Sequence, residues 1–267
     1  MSTPFFTVIT ATYNAASTLP RLLESLAAQT CCDFTWVVQD GGSTDNTLAV
    51  IKEWQGRLPA ISLESMQDKG VYDAWNRALD REQGKLGQWV LFIGADDMLA
   101  APDVLEKSFA IISQSAETPC FWAAELERFD THENKQEHIF CPDLTTLRDV
   151  QRTCSRHLPM GHGALFHAKN LFLGRFDARF RICADYDFVY RALKNSPRLK
   201  SLPVVVTKMF DGGLSSSPSQ RIRVRYEELV VAWRYAPKKY IFSPWRCKAI
   251  LGSIFRWMQH YLTELKY

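Results

Sequence analysis

The chain places carboxylates where a folded protein has to account for them. "WVLFIGADDMLA", Trp89 to Ala100, runs apolar and then ends in Asp96 and Asp97, side by side. Adjacent carboxylates at the end of a buried strand repel each other and resist desolvation. A divalent cation removes that repulsion. Hard oxygen ligands select Mg2+ or Mn2+, which draw their remaining ligands from water and substrate phosphates. The competing expectation is an acidic turn capping a helix that starts near Pro102. Asp40 ends a second apolar run, "FTWVVQD", ahead of Gly41 and Gly42, which let a backbone approach a ligand closely. A carboxylate there accepts from ribose hydroxyls or a base N–H. The same "GGSTDNT" also reads as a turn in which Ser43 or Thr44 caps a helix and Asp45 sits near its positive end.

"CADYDFVYRAL" supplies Asp185 and Asp187. Two residues apart on a helix, they point in different directions. Asp187 is spaced to pair with Arg191 on the surface, which leaves Asp185 for chemistry. His162 and His167 in "HGALFH" are candidates to touch a phosphate or an acceptor, against a structural role for the pair.

The elements that position these groups alternate through the first half. "FFTVITAT" reads as a strand, and Leu19, Leu22, Leu23 and Leu26 give the following segment helical spacing. "FTWVVQD" is a second strand, "LAVIKEWQ" a helix, "ISLES" a short third strand, "VYDAWNRALD" a helix and "WVLFI" a fourth strand. Such alternation implies an α/β fold with a mostly parallel sheet covered on both faces. Its ligands bind beyond the carboxyl ends of the strands. The breaks "TYNAAS", "QDGGSTDNT" and "GADD" all fall at that edge and should converge on one crevice. The second half is less regular. "PCFWAAELERF" reads as a strand pair or an edge strand, "DYDFVYRAL" as a helix, "LPVVVTKMF" as a strand, and two helices close the chain.

Composition narrows the function classes. In 267 residues, 46% are hydrophobic and 23% charged, as in an ordinary globular protein with a sizeable core. A net charge of +3 is too mild to imply nucleic acid. Seven scattered cysteines without a C-x-x-C fit a reducing compartment better than a disulfide framework or a zinc site. The N-terminus lacks a basic n-region and a long apolar run, so no signal peptide is expected. No stretch approaches the ~18 uninterrupted apolar residues of a spanning helix. The expectation is a cytoplasmic protein.

"VITATYNAASTLPRLLESLAAQT", "WVVQDGGSTDNT", "DKGVYDAWNRAL", "WVLFIGADD", "ADYDFVYRAL" and "DGGLSSS" stand in the order found in family 2 glycosyltransferases. The chain resembles bacterial members that build capsule, colanic acid-type exopolysaccharide or O-antigen. The likeness runs from about Phe6 to Ser217. It implies a GT-A fold, with a Rossmann-like nucleotide-sugar-binding half (1–100) and an acceptor-binding half (101–217) sharing one sheet. Residues 218–267 are then a C-terminal helical extension. By the same likeness, Thr10, Thr12 and Tyr13 line the nucleotide pocket, Asp40 reads the base, and Asp68 contacts base or ribose. Asp96 contacts ribose or a metal-bound water, Asp97 binds the Mn2+ or Mg2+ that bridges the diphosphate, and Asp185 is the catalytic base. Ala184 stands where many members have Glu, and Ala95 where many have a further acidic or polar residue. Gly212 to Ser217 resembles a loop that gates the donor.

The resemblance implies inverting transfer of a sugar from a nucleotide-sugar, by family analogy a UDP-sugar, to a hydroxyl of a glycan or lipid-linked acceptor. The last helix, "PKKYIFSPWRCKAILGSIFRWMQHYL", mixes basic and aromatic residues suited to an anionic membrane, and equally to packing on the domain or on a second subunit. A sugar nucleotidyltransferase would carry a Gly- and Arg/Lys-rich phosphate loop after the first strand, and a dinucleotide oxidoreductase a G-x-G-x-x-G there. "TATYNAAS" is neither. A non-catalytic nucleotide-sugar-binding protein remains the alternative from another class.

Overall fold

The computed structural model describes residues 3–130, 135–155, 157–210 and 220–241, together with Lys248 and Gly252. Strands β1 (Phe6–Thr12), β2 (Phe34–Asp40), β3 (Ile61–Ser65) and β4 (Trp89–Phe92) alternate with helices α1 (Leu19–Ala27), α2 (Thr47–Glu53) and α3 (Val71–Arg81). A two-residue β5 (Met98–Leu99) precedes α4 (Val104–Gln114), β6 (Phe121–Asp130), β7 (Lys135–Ile139) and α5 (Leu147–Cys154). After a 3₁₀ turn at His162–Ala164 come β8 (Leu165–Ala168), α6 (Ala184–Asn195), β9 (Leu199–Phe210), α7 (Arg221–Tyr235) and the short α8 (Lys238–Ile241).

One sheet runs β3-β2-β1-β4-β8-β6-β9-β5, with β7 paired to β6. All pairings among β1 to β4 are parallel, so Thr12, Asp40 and Phe92 end their strands at the same edge. Antiparallel pairing enters at β8, which lies between β4 and β6. Both halves of the chain therefore share a single mixed sheet.

The period of two along each strand sorts its side chains between two cores. Ile9, Val37, Val90 and Phe92 face one side, with Tyr72 and Leu79 of α3, Val150 of α5, much of α6 and Val231 of α7. Phe6, Val8, Trp36, Val38 and Leu91 face the other, under the leucines of α1, Ile51 of α2, and Val104 and Leu105 of α4. Leu19, Leu22, Leu23 and Leu26 are at most 1% exposed, each contributing about 1.5–3 kcal/mol by burial.

The segment "PCFWAAELERF" is neither a strand pair in itself nor an edge; only its last residues also pair with β7. It forms the interior strand β6, flanked by β8 and β9. Phe121, Trp122, Ala123 and Ala124 are all buried, and only a strand covered on both faces needs apolar residues at consecutive positions.

Candidate active site

At the β1–β2 edge, Asp40 is fully buried. Thr12 Oγ1 donates to its Oδ1 at 2.9 Å, and Ser65 Oγ and the N–H groups of Gly42 and Ser43 donate to its Oδ2 at 2.6, 3.1 and 2.9 Å. The Ser43 hydroxyl donates to Oδ1 as well. Burial pushes the carboxyl up, but the donors from Ser43, Ser65 and Thr12 outweigh it and hold Asp40 below its ordinary range. Asp68 leans over the following glycine. Its Oδ2 lies 2.6 Å from where a Cβ of Gly41 would stand, so only glycine admits this approach. Burial raises the Asp68 carboxyl against a hydrogen bond from Gly70 N–H, with Asp73 and then Asp40 adding repulsion.

Thr10 faces the core, where its hydroxyl accepts from Trp36 Nε1 at 3.0 Å, and it presents no side chain to this edge. Thr12 reaches the edge through Asp40, and Tyr13 stands 66% exposed beyond it. Between them and α1, Asn14 takes a positive φ of 49°. Its Oδ1 accepts from Thr44 N–H at 2.9 Å, and its own N–H donates to Ser43 Oγ at 2.9 Å, stitching the first polar break to the second. Asparagine's tolerance of left-handed backbone is the signal the sequence carries for this residue.

The third break holds the paired carboxylates. A Cβ on Gly94 would stand 2.6 Å from Asp96 Oδ1 and 2.7 Å from Asp97 Oδ2, so both side chains converge on the bare face of that glycine. Asp97 is 5% exposed and its Oδ1 accepts from Phe210 N–H at 3.2 Å. Burial first, then the Asp96 charge, push Asp97 up to about 7, against Phe210 and Gly94 N–H donors and the Arg21 cation. Two converging oxygens, one of them buried with excess negative charge nearby, suit a divalent cation. Among the described residues no cluster of three or more His, Cys, Asp or Glu could complete a protein cage. Such a cation would therefore depend on water and phosphate oxygens, as Mg2+ and Mn2+ do. Arg21, which no local pattern singles out, stacks its guanidinium 3.6 Å from the Phe210 ring centroid and donates to the Asp96 carbonyl.

Asp185 lies in the first turn of α6, partly exposed. Its Oδ1 accepts from Tyr186 N–H at 2.8 Å and from the Tyr72 hydroxyl at 3.1 Å. The Tyr72 hydroxyl also donates to Ile182 O, so a single hydrogen is divided between two acceptors. Burial raises Asp185 to about 6, the Tyr186 and Tyr72 donors oppose this, and Glu227 adds to it. The group is thus mostly ionised at neutral pH yet close enough to it to take up a proton.

Asp187 does not form a surface pair. It is fully buried and reaches Arg191 only at 3.6 Å, while Arg234 and Tyr235 of α7 donate to its Oδ1 at 2.8 and 3.0 Å. Its partners come from a helix forty-odd residues later, which no i, i+4 count reveals.

An aromatic floor joins the two acidic centres. Tyr72 meets Trp75 at 5.4 Å between ring centroids, and Trp75 meets Phe92, two residues before Gly94, at 4.6 Å. His162 stacks on Trp75 at 5.1 Å and on Phe92 at 5.3 Å. Burial, then its neighbour His167, keeps His162 well below its ordinary pKa, and burial lowers His167 to about 4. Both are neutral rings at pH 7, so neither supplies a cation to a phosphate. Gly212 to Ser217 and nearly all of the chain after Ile241 lie outside the described residues.

Residues 7–172 match the family described as "Glycosyl transferase family 2". A protein of Mycobacterium bovis (strain BCG / Pasteur 1173P2) named "PGL/p-HBAD biosynthesis glycosyltransferase" is 34% identical over 222 residues, covering 81% of this chain and 81% of that protein. S. aureus TarS residues 1–349, in a crystal structure with UDP-GlcNAc, superposes with a TM-score of 0.65 at 20% identity over 94% of this chain and 72% of that one. The mannosyltransferase PcManGT from Pyrobaculum calidifontis, in complex with GDP-Man and Mn2+, superposes with a TM-score of 0.64 at 21% identity over 95% of this chain and 74% of that one. The fold they share is GT-A.

Proposed function

Because this chain belongs to glycosyl transferase family 2, we propose that its cleft moves a sugar from a nucleotide-sugar to an acceptor hydroxyl with inversion, Asp185 taking the acceptor's proton. The observation that carries this reading is the presence of two differently tuned acidic centres linked by one aromatic floor, Tyr72–Trp75–Phe92. Asp185 is held near 6, fit for a base, while Asp96 and Asp97 converge on Gly94, fit for a cation.

An alcohol is a poor nucleophile at neutral pH, so a positioned carboxylate must accept its proton as it attacks. The acceptor oxygen bonds to the anomeric carbon from the side opposite the diphosphate. The bond from that carbon to the β-phosphate oxygen breaks and its electron pair leaves with the nucleoside diphosphate. Attack from the opposite side inverts the anomeric centre. Asp97, with Asp96 beside it, would hold Mn2+ or Mg2+, which as a Lewis acid stabilises charge on the departing diphosphate. Tyr186 N–H and Tyr72 fix the Asp185 carboxylate before reaction, and Phe210 N–H fixes that of Asp97. The Asp40–Thr12–Ser65 network and the Asn14 stitch shape the nucleotide end, where Tyr13 and Asp68 are the side chains offered to base and ribose. A UDP-sugar is the expected donor.

The acceptor is a glycan or a lipid-linked saccharide of a surface polysaccharide or glycolipid. The relative's name, which assigns it to PGL/p-HBAD biosynthesis, supports a lipid-borne acceptor. No described helix is long and apolar enough to cross a membrane. In this reading the basic and aromatic residues after Pro237 bring the enzyme to an anionic surface.

The test is a thermal-shift screen of nucleotide-sugars with Mn2+ or chelator, followed by a transfer assay on the donor that binds. A true donor raises the melting temperature by mass action, and more so with metal. Absence of any shift across UDP-, GDP-, dTDP- and CMP-sugars would remove the reading.

A further inference from the structure

We infer that Glu227, on α7 and beyond both the family match and the motif-bearing stretch, is a positioning residue that builds the turn carrying Asp185; this rests on the reading of Asp185 as the base.

The first turn of any helix leaves N–H groups without intrahelical partners. Cys183 at the N-cap of α6 makes no side-chain cap, and Ala184 follows it. An acceptor for the Cys183 N–H, and for the two N–H groups ahead of it, arrives from another helix. Glu227 Oε1 accepts from Arg181 N–H at 3.0 Å, and its Oε2 accepts from Ile182 and Cys183 N–H, both at 2.9 Å. The side chain is 4% exposed, and its carboxylate spends three acceptor sites on three consecutive backbone donors directly ahead of Asp185. Cys183 Sγ donates to Val224 O, one turn earlier on α7, at 3.8 Å.

The same helix grips α6 a second time. Arg234 and Tyr235 donate to the buried Asp187, one half-turn after Asp185. Asp185 is therefore bracketed on both sides by residues of α7. Ile182, whose N–H Glu227 holds, also offers the carbonyl that shares the Tyr72 hydrogen with Asp185. Shifting the 181–183 backbone would thus move both the carboxylate and its donor.

Charge follows from the same placement. The groups facing Asp185 are Tyr72 from α3, Cys183 at its own helix start, and Glu227 from α7, with Arg225 and Glu228 paired at 2.6 Å behind them. Burial is the main cause of the raised Asp185 carboxyl and the Glu227 charge adds to it, so removing Glu227 makes the ionised base easier to form and a weaker proton acceptor.

The experiment compares Glu227→Gln with Glu227→Asp and wild type, all as the full chain. An amide is isosteric but has one acceptor oxygen for three donors. A displaced base costs turnover and not donor affinity, so kcat should fall by about 10- to 100-fold for Gln with donor KM within about twofold. The acid limb of kcat/KM should move to lower pH, since the neighbouring negative charge is gone. Asp keeps the charge on a shorter arm and should hold the limb at its wild-type position while losing part of kcat. A Glu227→Gln enzyme that folds and keeps both the wild-type kcat and the wild-type limb overturns the inference. Asp185→Asn run in parallel separates the two claims. If it turns over normally, the base assignment has failed; if it is dead while Glu227→Gln is normal, only the positioning role has failed.

Discussion

Replacing Tyr72 with Phe should move the pH dependence of the reaction in a direction and by an amount that the structure fixes. The Tyr72 hydroxyl stabilises the ionised form of Asp185 from 3.1 Å. A hydrogen bond to a charged group is worth about 1.5–3 kcal/mol, or about one to two pKa units at 1.36 kcal/mol per unit. The single hydrogen is shared with Ile182 O, so roughly half of that applies, about 0.5–1 unit. The acid limb of kcat/KM, expected near 6 in the wild type, should rise to about 6.5–7. At pH 6 the variant should lose about two- to fivefold from titration alone, and at pH 8 almost nothing. Stability should fall by about 1–3 kcal/mol because the buried Ile182 carbonyl loses its donor, and by more above pH 7 than below pH 4, since the ionised Asp185 loses a donor as well. The assay is a pH–rate profile from 5 to 8.5 with urea unfolding alongside. A limb that stays in place or moves to lower pH, in a variant that folds, would refute the linkage between Tyr72 and Asp185.

Other perturbations bear on the remaining groups. Asp97→Ala should abolish the difference between Mn2+ and chelator in donor-induced thermal shift; a retained metal response would place the cation elsewhere. Gly94→Ala puts a methyl 2.6–2.7 Å from two flexible carboxylate ends, so the fold should survive within about 1–2 kcal/mol while metal-dependent donor binding is lost. Unchanged metal dependence there would show that the two carboxylates need not converge. Asp40→Asn turns an acceptor facing five donors into an amide with its NH2 against some of them, and should cost about 2–4 kcal/mol in urea unfolding. A loss below about 0.5 kcal/mol would mean that the network is not holding the loop.

What the sequence made legible follows from range. The strands β1 to β4 and helices α1 to α3 carry their periodicity within a dozen residues, and the glycines after Asp40 and before Asp96 mark turns at a single edge. Helical spacing points Asp185 and Asp187 in different directions, but it assigns Asp187 to a surface pair with Arg191, whereas Asp187 is buried against Arg234 and Tyr235. The groups that finish the site have partners far along the chain. Tyr72 reaches Asp185 across 113 residues, Phe210 reaches Asp97 across 113, and Glu227 reaches Cys183 across 44. Nothing local to Arg21 predicts that it will lie on Phe210 and hold the Asp96 carbonyl. The interior place of β6 was hidden for a related reason. Its apolar run resembles an edge segment until β8 and β9, both later in the chain, cover its flanks. His162 looked like a ligand by type, yet packing between Trp75 and Phe92 makes it a neutral part of the floor.

Asp185→Asn separates the chemistry from the binding and from the fold. Raised to about 6 from an unfolded value near 3.9, this carboxyl contributes most to stability below pH 4 and loses that contribution as pH rises through 6. The asparagine variant should therefore be more stable than wild type at pH 8, by about 1–2 kcal/mol after allowing for partial solvent exposure. The measurement that decides is transfer rate at pH 8 with donor binding read in the same samples. The account predicts that Asp185→Asn keeps the wild-type donor-induced thermal shift while transfer drops by about 10²–10⁴-fold. Transfer within about tenfold of wild type would contradict it.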